Sequence, residues 1–135
     1  MMAFLKVHDE LYQRSNGWIG HRIPFAPPML LLHSVGAKTG QRRTHSLAYY
    51  RDGNDYLIVA SNGGADRNPA WYHNLVAHPE VTVELPGQTY AARARVAEGE
   101  ERERLFRAQA DLMPNFDQYQ AKTTRVIPVV VLERV

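Results

Sequence analysis

Gly36-Ala37-Lys38-Thr39-Gly40-Gln41-Arg42-Arg43 sets two glycines and three cations within eight residues, between the apolar run Met29-Leu30-Leu31-Leu32-His33-Ser34-Val35 and the strand-like Thr44-His45-Ser46-Leu47-Ala48-Tyr49-Tyr50. An apolar segment on each side and glycine at both bends predict a β-hairpin, because glycine adopts positive φ without steric cost. Such a hairpin crowds Lys38, Arg42 and Arg43 at one end, where they can hold an anion; the alternative is a solvated basic turn. Gly40 follows the lysine instead of preceding it. The stretch is therefore not the glycine loop G-x-x-x-x-G-K-[ST] that cradles nucleotide phosphates, and a nucleoside triphosphatase is disfavoured.

Working outward, Asp52-Gly53-Asn54 reads as the next turn and residues 56–61 as a third strand, so the first three strands suggest an antiparallel meander. Residues 81–85, 89–96 and 125–132 add three more strands around Pro86-Gly87. Six strands in a chain of 135 residues predict a mainly β, α+β fold, an antiparallel six-stranded barrel with flanking helices. In the fifth strand Arg93 and Arg95 alternate with Ala92, Ala94 and Val96, as in a sheet with one wet side. Pro128 belongs at an edge or bulge, because it cannot donate to a ladder.

Helices are expected over 69–77, opened by Pro69, and over 100–113, with Leu105, Phe106, Ala110 and Met113 inward and Glu100/Arg104 and Glu103/Arg107 as exposed pairs. Residues 3–14 carry Phe4, Leu5, Leu11 and Tyr12 at near-helical spacing, an amphipathic helix that packs on the domain or touches a membrane surface. Pro24, Pro27 and Pro28 then enforce an extended lead-in.

The length fits one domain over residues 1–135, able to bury about two thirds of its unfolded surface. The absence of cysteine removes disulfides, thiolate metal sites and cysteine nucleophiles, and fits a reducing compartment. Thirteen of the 16 basic residues are arginine, suited to forked contacts with phosphate or carboxylate, although the formal net charge is only +2. Residues 1–6 lack a signal-peptide pattern and no run approaches the roughly 20 apolar residues of a membrane span, so a cytoplasmic location is expected, with peripheral contact at the inner membrane face as the alternative.

Several chemistries are disfavoured. Val59-Ala60-Ser61-Asn62-Gly63 lacks the first glycine of G-x-S-x-G, and the six histidines contain no i,i+4 pair, so neither a serine hydrolase nor a local zinc motif is legible. The long helix mixes acidic and basic residues, which argues against nucleic-acid binding. What remains is the loop Ala60-Ser61-Asn62-Gly63-Gly64-Ala65-Asp66-Arg67-Asn68, whose adjacent glycines let backbone approach a ligand and whose N–H groups near a helix start can donate to it. Trp71 can wall such a pocket or sit in the core. A cationic loop and a loop stripped of side chains suit a ligand with an anionic tail and a flat polar ring, as in a flavin. Phe116 and Tyr119 share one face if residues 114–122 are helical, and either cover the ring or fill the core.

The chain resembles the deazaflavin (coenzyme F420)-dependent nitroreductases of the split β-barrel flavin and deazaflavin oxidoreductase superfamily. The marks are Gly36-Ala37-Lys38-Thr39-Gly40-Gln41-Arg42-Arg43, Val59-Ala60-Ser61-Asn62-Gly63-Gly64, and Asn68-Pro69-Ala70-Trp71-Tyr72-His73-Asn74-Leu75-Val76-Ala77-His78-Pro79, in that order. The resemblance implies a split barrel that passes hydride from reduced F420 to a quinone, nitroaromatic or activated enone, the same barrel using FMN and a non-catalytic deazaflavin carrier being the rivals. It implies that Lys38, Arg42 and Arg43 hold the phosphate and glutamyl tail, while Ala60, Ser61 and Asn62 offer backbone to the ring. Gly63, Gly64, Pro69, Ala70 and Trp71 complete the cofactor-binding set. Tyr119 matches a tyrosine lining the acceptor pocket of relatives, and Phe116 replaces another. A monomer is favoured over a dimer. Ser46 stands where the family often has proline, and Asn62 where some members have lysine.

Overall fold

The structure, a computed structural model, describes residues 28–135; the expected helix over 3–14 and the lead-in at Pro24 and Pro27 lie outside them. Seven strands are present: β1 (Met29–Val35), β2 (Arg42–Ala48), β3 (Tyr50–Asp52), β4 (Asp55–Val59), β5 (Glu80–Leu85), β6 (Gln88–Val96) and β7 (Val129–Arg134). Three α-helices accompany them: α1 (Ala70–Ala77), α2 (Gly99–Leu112) and α3 (Asn115–Ala121). A short 3-10 turn, Asn62–Gly64, follows β4.

All ladders are antiparallel, in the order β2-β1-β5-β6-β7-β4-β3. The two edge strands, β2 and β3, are separated in the chain by Tyr49 alone. A flat seven-stranded sheet would hold its edge strands about 29 Å apart at the usual strand spacing, whereas two peptide steps reach at most about 7 Å. The sheet must therefore curl until its edges nearly meet, which gives the split β-barrel. Tyr49 holds the seam: its N–H donates to the Pro28 carbonyl at 3.3 Å, and its ring meets Tyr56 edge-on at 5.0 Å.

This closure corrects two expectations. The strand expected over 44–50 breaks at Tyr49, so there are seven strands instead of six, and β4 pairs with β3 and β7 instead of completing a meander with β2. The last strand begins at Val129, since Pro128 precedes it and offers its carbonyl to Ala60 N–H at 2.9 Å.

Two large cores share the sheet, with a small third cluster at Met29 and Leu31 of β1. Leu30, Leu32, Ile58, Val83, Val130 and Leu132 fill the barrel, which α1 stoppers with Trp71 and Leu75. The alternate residues Leu57, Val59, Val129 and Val131 face outward and meet Leu105, Phe106, Ala110 and Phe116 of α2 and α3. Burial on both faces is why β4 and β7 read as unbroken apolar runs. The expected pairs Glu100/Arg104 and Glu103/Arg107 do not form. Arg104 instead reaches Asp52 at 3.2 Å, and Arg107 pairs with Asp111 and Asp117, because a guanidinium can fork onto carboxylates of neighbouring elements.

Arg102 ties the helical layer to β7. It is 7% exposed, lies over the Phe106 ring at 4.4 Å, donates through Nε and Nη2 to the Ile127 carbonyl (3.2 and 2.7 Å), and reaches Gln120 Oε1 at 3.1 Å. Arg102→Met removes these charged hydrogen bonds while keeping an apolar stem, and should lower unfolding free energy by about 1.5–3 kcal/mol in urea titration. An unchanged midpoint would show the network to be ornamental.

Candidate functional site

The basic turn between β1 and β2 is internally braced. Gly36 N–H donates to Gln41 O at 2.7 Å, Gly40 N–H to Gly36 O at 3.0 Å, and Gln41 N–H to Thr39 Oγ1 at 3.2 Å. A Cβ on Gly36 would lie 2.8 Å from Thr39 Oγ1, so this glycine permits close approach, whereas Gly40 supplies a φ of +70°. Lys38, Arg42 and Arg43 are all exposed, and none has a carboxylate partner among the described residues. Three unneutralised cations in six residues make this turn a site of positive potential. Ala37 N–H donates to Oδ1 of the buried Asn74 at 2.9 Å, which fixes the turn against α1.

Register sorts the turn's flanks. Arg43 opposes Ser34 and His45 opposes Leu32, so His45 shares the face of the barrel-filling Leu32. Burial, reinforced by the Arg43 charge, lowers the His45 pKa from 6.5, and its Nδ1 is buried without a partner.

The glycine loop leaves β4 and enters α1. Arg125, on the segment before β7, gathers its carbonyls: Nε donates to Ala65 O at 2.9 Å, Nη2 to Ser61 O at 2.9 Å, and Nη1 to Asn68 Oδ1 at 2.7 Å. Both Nη atoms also lie 3.4 Å from Ala60 O. Burial lowers the Arg125 pKa, against the opposing pull of Asp66. Thr123 Oγ1 donates to Asp66 Oδ1 at 2.9 Å and adds a second strut. Ala60, Gly64 and Ala65 N–H groups are all bonded within the fold, to Pro128 O, Ser61 O and Asn62 O. No described residue accepts from the N–H of Ser61 or Asn62, although Ser61 is only 8% exposed.

Asn62 has φ of +48°, which asparagine tolerates, and its Nδ2 donates to Arg67 O at 3.0 Å, so this side chain braces its own loop. The two glycines differ. Gly63 is open to its surroundings, while Gly64 is pressed against α3, where a Cβ would lie 2.9 Å from Tyr119 O. Pro69 caps α1, half-buried, Ala70 beside it is exposed, and Trp71 turns into the barrel core at 5% exposure. Phe116 is 6% exposed in the second core and meets the half-buried Tyr119 edge-on at 5.8 Å. Asn115 Nδ2 donates to Tyr119 Oη at 3.2 Å, leaving the phenolic hydrogen available to donate. The basic turn and the glycine loop thus both attach to α1, the turn at Asn74 and the loop at the Pro69 cap, and α3 packs on the loop at Gly64.

Residues 4–134 match the family model described as F420H(2)-dependent quinone reductase. The chain belongs to that family. It is 49% identical over 136 residues, 98% of this chain and 91% of the other, to an F420H(2)-dependent quinone reductase of Mycobacterium tuberculosis. Among solved structures it is similar to an F420-H2-dependent reductase at TM-score 0.73 and 37% identity, covering 78% of this chain and 94% of that one. A structure described as a domain-swapped dimer is similar at TM-score 0.74 and 31% identity, covering 93% and 98%.

In this family member, the expected site residues divide into those exposed at the turn and loop, namely Lys38, Arg42, Arg43, Asn62, Gly63 and Ala70, and those that are buried or packed, namely Ala60, Ser61, Gly64, Trp71 and Phe116. Asn74 and Arg125 escaped the sequence reading. Asn74 had a visible signal, a polar residue on the apolar face that carries Trp71 and Leu75. Arg125 had none, since its acceptors lie 57 to 65 residues away in sequence.

Gly64→Ala combines a φ of +86° with backbone crowding and should cost about 1–3 kcal/mol. Gly63→Ala, strained only by its φ, should cost about 1 kcal/mol; comparing their thermal midpoints tests the difference. Because folding lowers the His45 pKa below 6.5, the unfolded chain takes up this proton first, so its contribution is intact above pH 6.5 and stability falls as pH drops beneath it. Urea titrations across that window should show a shallower decline for His45→Asn; an identical decline would clear His45 of the effect.

Proposed function

We propose that the chain binds reduced F420 through its basic turn and glycine loop and passes hydride to a quinone held against the α3 side. One observation carries this reading: unpaired Lys38, Arg42 and Arg43 and the unpartnered N–H groups of Ser61 and Asn62 flank the same helix. The cofactor fits such a set, since its phosphate and carboxylates need cations and its ring carbonyls need donors. When bound, reduced deazaflavin supplies the hydride.

The chain's residues do the rest by position and field. Lys38 and Arg43, with Arg42 beside them, neutralise the tail. Ser61 and Asn62 N–H groups orient the ring, and their dipoles favour negative charge there. Tyr119 offers its free phenolic hydrogen to an acceptor oxygen as charge develops on it, while Phe116 packs behind that ring. No side chain is required as an obligatory base. Nitroaromatics and activated enones present similar electron-poor faces and oxygen acceptors, and are read as alternative acceptors. No helix of the described residues is long and apolar enough to cross a membrane. We read residues 1–135 as one catalytic domain acting as a cytoplasmic monomer, with weak membrane contact through residues 3–14 as the alternative.

Fluorescence titration with each cofactor tests the reading. F420 should bind much more tightly than FMN and weaken as salt rises, because the cations are exposed; equal affinity would favour a flavin enzyme. Lys38→Ala and Arg43→Ala should each cost about 1.5–3 kcal/mol of F420 binding with the fold intact. Steady-state turnover with quinone separates an enzyme from a carrier. Tyr119→Phe should lower turnover, and Tyr119→Ala should also raise the quinone KM, with F420 affinity nearly unchanged. A folded Tyr119→Ala protein with wild-type turnover would confine this ring to the core.

A further inference from the structure

Arg125 precedes β7 and lies on no motif of the resemblance, yet it makes more hydrogen bonds to the glycine loop than any other described side chain. Its acceptors are the carbonyls of Ala60, Ser61 and Ala65 and the Asn68 side chain, that is, both ends and the middle of the loop. Every described peptide bond is trans. In a trans peptide the C=O and N–H of one unit point in opposite directions. A guanidinium that draws the Ala60 and Ser61 carbonyls to one side therefore turns the Ser61 and Asn62 N–H groups to the other. Neither of those two donors finds an acceptor among the described residues. Ser61 is buried, and a buried backbone donor is seldom left unpaired, so its N–H points to an acceptor from outside the chain, with the exposed Asn62 N–H beside it turned the same way.

We propose that Arg125 is a positioning residue for the deazaflavin ring: by binding the carbonyl side of the glycine loop, it fixes the Ser61 and Asn62 amides as a two-donor cradle for the ring's carbonyl and nitrogen acceptors. The inference rests on the F420 reading above. Charge alone is insufficient for this role, since the work is done by the planar fork, which reaches four residues at once, and lysine has one nitrogen. Gln120 steadies the backbone beneath it, Nε2 donating to Arg125 O at 2.7 Å and Oε1 accepting from Ile127 N–H at 3.0 Å. The fork is thus aimed from a segment that is itself tied to α2 through Arg102.

The role predicts a division of labour that the cofactor's two ends expose. F420 and a deazaflavin lacking the phosphate and glutamyl tail are titrated by fluorescence into the wild-type chain, Arg125→Lys and Lys38→Ala. Arg125→Lys should weaken both ligands by a similar factor, about tenfold, whereas Lys38→Ala should weaken only the tailed form. A folded Arg125→Lys protein that binds the tail-less ligand like wild type overturns the proposal. Should that variant fail to fold, Asn68→Ala, which removes one anchor of the fork, should still weaken the tail-less ligand, and no change would overturn the proposal equally. Amide exchange at Ser61 and Asn62 in the wild-type chain should slow with the tail-less ligand; unprotected amides would deny the cradle itself. If wild type binds neither deazaflavin, the F420 reading fails first, and the experiment distinguishes that from a failure confined to Arg125.

Discussion

The constraint on which the architecture depends is the one-residue link at Tyr49 between the two edge strands. It forces β2 and β3, at opposite ends of the hydrogen-bonded order, to within a few ångströms of each other, and the sheet has to curl to allow it. Curling gives an inside, filled by alternate residues of the long strands, and an outside, which α2 and α3 cover at β4 and β7. The loops then emerge where the curl leaves room. The β1–β2 turn and the loop after β4 are far apart in sequence, but α1, stoppering the barrel with Trp71 and Leu75, holds one through Asn74 and continues directly from the other.

A second organising point is the stretch from Gln120 to Pro128, which carries no regular structure after α3 yet joins four parts of the molecule. Gln120 and Arg102 secure its backbone to α3 and α2, Pro128 accepts from Ala60, and Arg125 grips the glycine loop. Such a stretch transmits rigidity because Gln120 and Arg125 are paired in a partly buried setting, where breaking a bond exposes a desolvated partner. The loop it supports is correspondingly unusual, with positive φ at Asn62, Gly63 and Gly64 in succession. Strain of that kind persists only when the surroundings over-determine it, as the Arg125 fork and the packing of Gly64 on α3 do here.

How much of this was legible in the chain follows from the range of each interaction. The basic turn was readable because glycines and cations adjacent in sequence are adjacent in space. Six strand segments were readable for the same reason, since alternation and apolar runs are local. The break at Tyr49 was not, because nothing local distinguishes a strand that continues from one that changes partners at a seam. The exposed helix pairs were misread because i,i+4 geometry is only one way to pair an arginine, and Asp52 and Asp117 were nearer in the fold. Phe116 and Tyr119 fell on one helix face as their spacing required, but spacing could not say that Phe116 would be buried in the second core while Tyr119 stayed half-exposed. Arg125 illustrates the limit: one arginine before a strand carries no mark of the loop it will meet.

As the proposed hydride-transfer site, the arrangement separates two demands that pull against each other. Affinity for a charged, freely exchanging cofactor is best supplied by exposed cations, whose long-range attraction speeds encounter and is tuned by salt, but whose flexible side chains define geometry poorly. Alignment is best supplied by backbone donors held stiffly at a buried position, which add modest affinity and fix the ring to within the tolerance that hydride transfer needs. Here Lys38, Arg42 and Arg43 sit on an exposed turn, whereas Ser61 is itself buried in a loop braced from behind. Placing both functions in one loop would require either burying unpaired cations, which desolvation opposes, or exposing the Ser61 donor as well, which water would occupy. In the proposed reading, distributing them to a turn braced by Asn74 of α1 and a loop that runs into the Pro69 cap avoids both, and makes the stiffness of that helix the quantity that would keep tail and ring in register.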